Sequence, residues 1–310
     1  MKKITDKIDA ITEIPKDYRS PTPPVPRSVK IELTGKCNFN CFFCAKAQGL
    51  RTLKHMPWEN YTRIAKELRD LGVEELGMFF LGESFLYPLL PDAIQYAKEI
   101  GFPYVFLTTN GSMATPEKLE LCFKAGLDSL KFSLNYADEE QFSEIARVSP
   151  RMFHRMISNI KEARRLRDAG GYSCGLYASY IMFTGDQGEK MKALIEELGP
   201  YLDEIYELPL YNQAALVDNP DWEFTAGNMG RRGNLREPLP CWVLFTEGHI
   251  TYDGALAACC FDHHGGFDMG NLNEMSFMEA WHSEKFQKLR AAHLEREVKD
   301  TVCGQCVAWA

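Results

Sequence analysis

The sequence predicts an α/β fold of about six parallel βα units with a small cysteine-rich module behind them. Three observations carry this. Short β-branched or aromatic runs alternate with stretches of helical periodicity from Ser28 to Tyr211, the pattern of right-handed parallel units. The rhythm breaks after Tyr211. The cysteines gather in two groups, one behind the first strand and one near the end of the chain.

Taken in order, "SVKIELT" reads as the first strand and leads into the cysteine loop. "MPWENYTRIAKELRDLG" then places apolar residues at helical spacing and stops at Gly72. "ELGMFFLG" and "YVFLTTNG" are strands, each followed by a helix: "LPDAIQYAKEIG", then "TPEKLELCFKAG" with a Thr115 cap and Pro116 in the first turn. "SLKFSLN" precedes the long helix "SPRMFHRMISNIKEARRLRDAG"; "GLYASYIMF" precedes "QGEKMKALIEELG"; "EIYELPLY" closes the series. Residues 1–27, proline-rich at their end, read as an arm without its own core. Residues 28–225 hold the βα units, 226–240 a linker, and 241–310 the second cysteine group around an expected hairpin, "FTEGHITYDGALAACCF".

With 310 residues, the chain suits one large domain or a large one plus a small one. Apolar content of 45% and charged content of 25% exclude disordered and fibrous classes. No apolar run approaches a membrane span, and the opening lysines are not followed by an apolar stretch, so the chain reads as cytoplasmic, without a membrane partner. A net charge of −8 argues against a nucleic-acid partner, which calls for a basic face. Ten cysteines without a secretion signal point to metal or redox use rather than a disulfide scaffold.

The segment "TGKCNFNCFFCAK" places Cys37, Cys41 and Cys44 in one loop. A zinc knuckle, a redox pair and buried structural thiols are the plain readings, yet a closed zinc site wants four ligands and the nearest histidine is His55. Three thiolates suit a cubane iron–sulfur cluster with one iron left open. The loop resembles the radical SAM superfamily, marked by Cys-x3-Cys-x2-Cys after the first barrel strand. The resemblance implies a partial (β/α)6 TIM-like barrel and a [4Fe–4S] cluster on these three thiolates. It also implies S-adenosylmethionine on the fourth iron and a flavodoxin- or ferredoxin-type electron donor. Phe43 stands where the family packs an aromatic near the adenine. Leu81-Gly82-Glu83-Ser84 replaces the usual Gly-Gly-Glu-Pro, so close backbone approach is secured only at Gly82, with Glu83 beside it. Asn110 lies in a matching "TTNG". Ser133 and Asn135 share one strand face and resemble the family's contacts to ribose and carboxylate. Arg147 matches an arginine able to pair with that carboxylate, a solvated helix-end arginine being the alternative.

The second group reads Cys-x12-Gly-x4-Cys, from Cys241 through Gly254 to Cys259, followed by Cys303 and Cys306 in "CGQC". It resembles the SPASM module, or its shortened twitch form, and implies one auxiliary [4Fe–4S] cluster on four thiolates; a structural zinc site has the same ligand count. Cys260 is then an alternative ligand, a hydrogen-atom donor, or an inert thiol. Cys122 and Cys174 read as core. His263 and His264 read as a surface turn, and His55 as a helix cap.

The resemblance implies that a 5′-deoxyadenosyl radical abstracts hydrogen from a small polar metabolite such as a sugar, cyclitol or nucleoside. The auxiliary cluster would accept an electron, as in twitch-domain dehydrogenases of aminoglycoside biosynthesis. Epimerisation with Cys260 as hydrogen donor, and SPASM-type peptide modification, are the alternatives. Residues 1–27 are too short for the leader-binding domain that many peptide-modifying relatives carry. Asn110, Asp186, Glu207, Tyr211 and Asn212 are candidates to orient the substrate or take its proton.

Overall fold

A computed structural model describes residues 3–44, 53–182, 184–211, 213, 217, 239–262, 268–304 and 306. The first six strands are β1 (Ser28–Ile31), β2 (Glu75–Gly77), β3 (Tyr104–Thr109), β4 (Ser129–Leu134), β5 (Gly175–Ile181) and β6 (Glu204–Leu208). Each pairs in parallel with the next. The crossovers are α2 (Trp58–Asp70), α3 (Leu90–Glu99), α4 (Pro116–Lys124), α5 (Glu139–Ala146) with α6 (Arg151–Gly170), and α7 (Gly185–Leu198).

Period-two alternation divides each strand between two environments. Val29, Leu76, Val105, Leu130 and Ala178 are fully buried beneath the helices, each larger one contributing roughly 1.5–3 kcal/mol. The intervening residues face the barrel interior. The helices meet this surface with one stripe: in α2, Tyr61, Ile64, Ala65 and Leu68 are fully buried at helical spacing. Gly72, at φ 95°, then turns the chain out of that helix in a conformation that suits glycine.

Two elements were not expected from the sequence pattern. The N-terminal arm carries a helix, α1 (Ile4–Ile11), whose Ile4 packs against Tyr177 and Tyr206. Its first turn donates from the Ile4 and Thr5 amides to Glu204, at 2.7 and 3.3 Å. The rest of the arm runs along the C-terminal helices: Trp281 Nε1 donates to the Pro24 carbonyl at 3.0 Å and Arg290 to that of Pro21 at 3.2 Å. The other is α5, which supports the cysteine loop.

Past the segment 218–238, which holds most of the expected linker and lies outside the described residues, come α8 (Val243–Thr246), β7 (Glu247–Ile250), β8 (Ala255–Ala257), β9 (Asp268–Asn271), α9 (Phe277–Trp281) and α10 (Glu284–Glu295). The expected hairpin forms as antiparallel β7 and β8 around Gly254, at φ 87°. Its first strand also pairs in parallel with β1, so the cysteine-rich segment extends the barrel sheet. The order is β6-β5-β4-β3-β2-β1-β7-β8-β9. Among the described residues no helix is long and apolar enough to cross a membrane.

Candidate functional site

The cysteine loop leaves β1 at its carboxyl end, where chemistry collects in parallel α/β folds. The Thr34–His55 bridge pins its base, and Gly35 donates to the Lys54 carbonyl at 2.9 Å. Gly82 lies against that base so closely that a β-carbon would stand 1.9 Å from the Thr34 carbonyl oxygen. The next amide, Glu83 N, donates to the Lys36 carbonyl at 2.8 Å. The tip of the loop rests on the end of α5: Asn40 and Phe42 amides donate to Ala146 and Ile145 at 2.9 and 3.1 Å. Phe39 anchors it beneath, edge-on to Phe142 at 5.3 Å.

Glu83 is 2% exposed, and its carboxylate is taken by the protein itself. Oε1 accepts from Thr109 Oγ1 at 2.6 Å and from the Phe85 amide at 3.1 Å; Oε2 accepts from the Asn110 amide at 2.7 Å. Burial raises its pKa and these donors oppose the rise. The Glu83 carboxylate thus ties the segment after β2 to the end of β3, because a buried polar group must find partners. Asn110 is the residue that faces the cysteine loop. Its Nδ2 donates to Asn38 Oδ1 at 3.0 Å and lies 4.0 Å from Cys37 Sγ. Tyr136, buried below, feels the fields of both Cys41 and Cys37 after desolvation. The three thiols are half-buried, and Cys44 N donates to the Cys41 carbonyl at 3.0 Å.

Phe43 stands beside Phe42, ring centres 5.5 Å apart. Ser133 and Asn135 have the inward parity of β4, with Ser133 in register with Ser179. Arg147 caps α5 in the left-handed region at φ 53° with its side chain exposed, one residue past the carbonyl that holds Asn40.

The weaker candidates scatter. Asp186 is exposed on the first turn of α7. Glu207 sits on the face of β6 opposite Tyr206 and accepts from Tyr180 OH at 3.2 Å, so it points away from the interior. Tyr211 packs on Phe261 at 5.7 Å, beside the second cysteine group. Asn212, His263 and His264 lie outside the described residues. His55 does not cap a helix: Pro57 holds the N-cap of α2, and His55 Nε2 lies 3.2 Å from Lys36 Nζ. Cys122 and Cys174 are buried, and desolvation pushes the Cys122 thiol up to about 12.

In the second group Cys241, Cys303 and Cys306 are buried, with Cys259 and Cys260 half-buried. Burial pushes Cys241 up, and the neighbouring Cys303, Cys260 and Cys306 push it further. Cys259 is raised by a hydrogen bond with Cys260, by burial and by Cys241. Thiols that repel one another as anions ionise together only around a cation, which fits a metal cluster. Donors aim at the sulfurs, Phe261 N reaching Cys259 Sγ at 3.3 Å, the kind of contact that tunes iron–sulfur centres. His293 Nδ1 accepts from the Cys241 amide at 3.2 Å. The "CGQC" turn needs its glycine: a β-carbon on Gly304 would lie 2.1 Å from the Lys299 carbonyl oxygen. Among the described residues no three metal-ligating side chains close on a single ion.

A parallel barrel with a three-thiol loop at its mouth and a second thiol nest on its sheet defines an iron–sulfur radical enzyme. The chain belongs to the Radical SAM superfamily, whose profile matches residues 31–198. A second profile, the SPASM iron–sulfur cluster-binding domain, matches 241–307. The chain is 31% identical over 308 residues to GTP 3′,8-cyclase of Chlorobaculum tepidum, covering 86% of this chain and 90% of that protein. To PqqA peptide cyclase of Streptomyces rochei it is 30% identical over 200 residues, covering 62% and 52%. Solved structures with this fold include BtrN in complex with AdoMet and 2-DOIA, at TM-score 0.60 and 18% identity over 90% of this chain and 91% of that one. Streptococcus suis SuiB bound to precursor peptide SuiA follows at TM-score 0.61 and 17% identity, over 86% and 67%. Family membership brings a [4Fe–4S] cluster and S-adenosylmethionine to the barrel and auxiliary iron–sulfur ligation to the C-terminal domain.

Sequence reasoning missed the charges inside the barrel: Lys30, Lys131, Glu247 and His249. The signal was present in "SLKFSLN", where Lys131 has the same parity as Ser133.

Proposed function

We propose that this chain is a radical oxidoreductase that removes two electrons from a small polar metabolite. Cys37, Cys41 and Cys44 would hold the barrel cluster with one corner open to S-adenosylmethionine. Phe43, Gly82, Asn110, Ser133, Asn135 and Arg147 would surround that cosubstrate. Cys241, Cys259, Cys303 and Cys306 would close the auxiliary cluster. The bound cofactors supply the 5′-deoxyadenosyl radical and an electron acceptor. The residues of the chain position the reacting C–H and exclude water. Oxidation of a carbinol to a ketone balances as one hydrogen atom to 5′-deoxyadenosine, one proton to a base and one electron to the auxiliary centre. A flavodoxin- or ferredoxin-type donor would reduce the barrel cluster.

The support for this reading is the second cysteine group, where buried Cys241, Cys303 and Cys306 and half-buried Cys259 fall in the segment that matches an iron–sulfur cluster-binding domain. Anaerobic reduction with candidate polar metabolites tests it in deuterated buffer. A ketone in step with 5′-deoxyadenosine, without deuterium at carbon, supports oxidation. Deuterium at the reacting carbon would instead indicate epimerisation, with Cys260 as hydrogen donor. Peptide modification is the second reading, supported by the 30% identity over 200 residues to a PqqA peptide cyclase. A cross-linked peptide product would decide for it.

A further inference from the structure

The barrel interior holds charges that the proposed chemistry leaves unassigned. Lys30 of β1, Thr108 of β3, Ser129 and Lys131 of β4, and Glu247 of β7 line a cavity of about 210 Å³ floored by α1. Most of these charges are spoken for. Lys30 Nζ donates to both Glu247 oxygens at 2.7 Å. Burial alone would raise Glu247, but Lys30 and then His249 hold it down at about 2, so this pair is ionised. Burial lowers the pKa of His249, which is fully buried with Nε2 3.5 Å from Glu247. Glu75 accepts from Lys7 of α1 at 3.3 Å, and Glu204 is occupied by the first turn of that helix.

Lys131 is the exception. Its Nζ makes no hydrogen bond among the described residues, and the Tyr206 ring, 5.9 Å away, lies at the outer limit of cation–π contact. Burial first and Lys30 second lower its pKa to about 8 while the Glu247 carboxylate opposes them, which leaves it mainly protonated at neutral pH. With both Glu247 oxygens taken by Lys30, the half-buried ammonium keeps its three donors for a further anion. Its depth matters too. Lys131 is in register with Thr108, and Asn110, two residues further along β3, lies 4.0 Å from Cys37 Sγ. At about 3.3 Å per residue, Lys131 sits roughly 7 Å below the level of the cysteine loop. That separation suits one end of a small molecule at the lysine and a reacting carbon beneath the loop.

We propose that Lys131 binds an oxyanion head, carboxylate or phosphate, of the substrate, so that the metabolite oxidised here is a small anion. This rests on the oxidoreductase reading and narrows its substrate class. The cavity has room for such a head: a water molecule's share of liquid volume is about 30 Å³.

Calorimetric titration tests this on the cluster-loaded protein with S-adenosylmethionine bound, using inorganic phosphate and acetate separately. One or both should bind once per chain, and whichever binds identifies the head group. Lys131→Met should weaken that binding by about tenfold or more, Lys131→Arg should retain it, and Lys66→Met, on an exposed helix pair with Asp70, should leave it unchanged. Two results would overturn the assignment: no binding of either anion to the unaltered protein at tens of millimolar, or undiminished binding by Lys131→Met with unchanged iron content and circular dichroism. Formation of 5′-deoxyadenosine after anaerobic reduction of the same samples with dithionite separates the failures. Its absence in the unaltered protein defeats the oxidoreductase reading, whereas its presence without anion binding defeats the Lys131 assignment alone.

Discussion

Gly82 and Glu83 show how single residues set the geometry of the cysteine loop. Gly82→Ala would drive a β-carbon to 1.9 Å from a backbone oxygen that cannot swing aside. The variant should lose about 1–3 kcal/mol of stability and reconstitute with less iron, measured by urea denaturation and iron assay. Glu83→Gln keeps the shape but places a donor amide among the donors of Thr109, Phe85 and Asn110. A loss of about 1–3 kcal/mol should accompany weaker cosubstrate binding as Asn110 shifts, read by equilibrium dialysis of S-adenosylmethionine. The need for glycine at position 82 was legible, because the residue stands alone in a strand-end motif. The partners of Glu83 were not: Thr109 and Asn110 lie 26 and 27 residues away, and no local pattern reports that pairing.

Among the elements, β7 joins a local hairpin to a distant strand. The six βα units were readable because each pairs a period-two run with a helical stripe. The hairpin β7–β8 was readable from its turn. Its docking on β1 was not, since Lys30 and Glu247, which join the strands inside the barrel, stand 217 residues apart. That pair gives a pH signature. Glu247 is held at about 2, below its ordinary value of 4.5. Its contribution is therefore complete above the ordinary carboxylate range and lost as pH falls toward 2. Unfolding free energies of the parent and Glu247→Gln from urea titrations should differ by on the order of 2–3 kcal/mol at neutral pH and converge on acidification. A constant gap across that range would place the stabilisation elsewhere. The helix α1 escaped notice because its partners, Tyr177, Tyr206 and Glu204, come from the far end of the sheet.

Across the whole molecule, one continuous sheet carries both thiol groups, and the N-terminal arm fastens the C-terminal helices to the barrel. The grouping of the cysteines was legible in the sequence; their burial and mutual fields required the fold. Cys303→Ala should leave reductive formation of 5′-deoxyadenosine intact while stopping oxidised product, checked by chromatography of both. The most direct measurement is Mössbauer spectroscopy of protein reconstituted with iron-57, before and after adding S-adenosylmethionine. Two cubanes, about eight irons per chain, are predicted, with one iron of the barrel cluster changing its signal on addition. A single cubane with zinc at the second site, or two cubanes in which no iron responds, would contradict the division into an open barrel cluster and a closed auxiliary one.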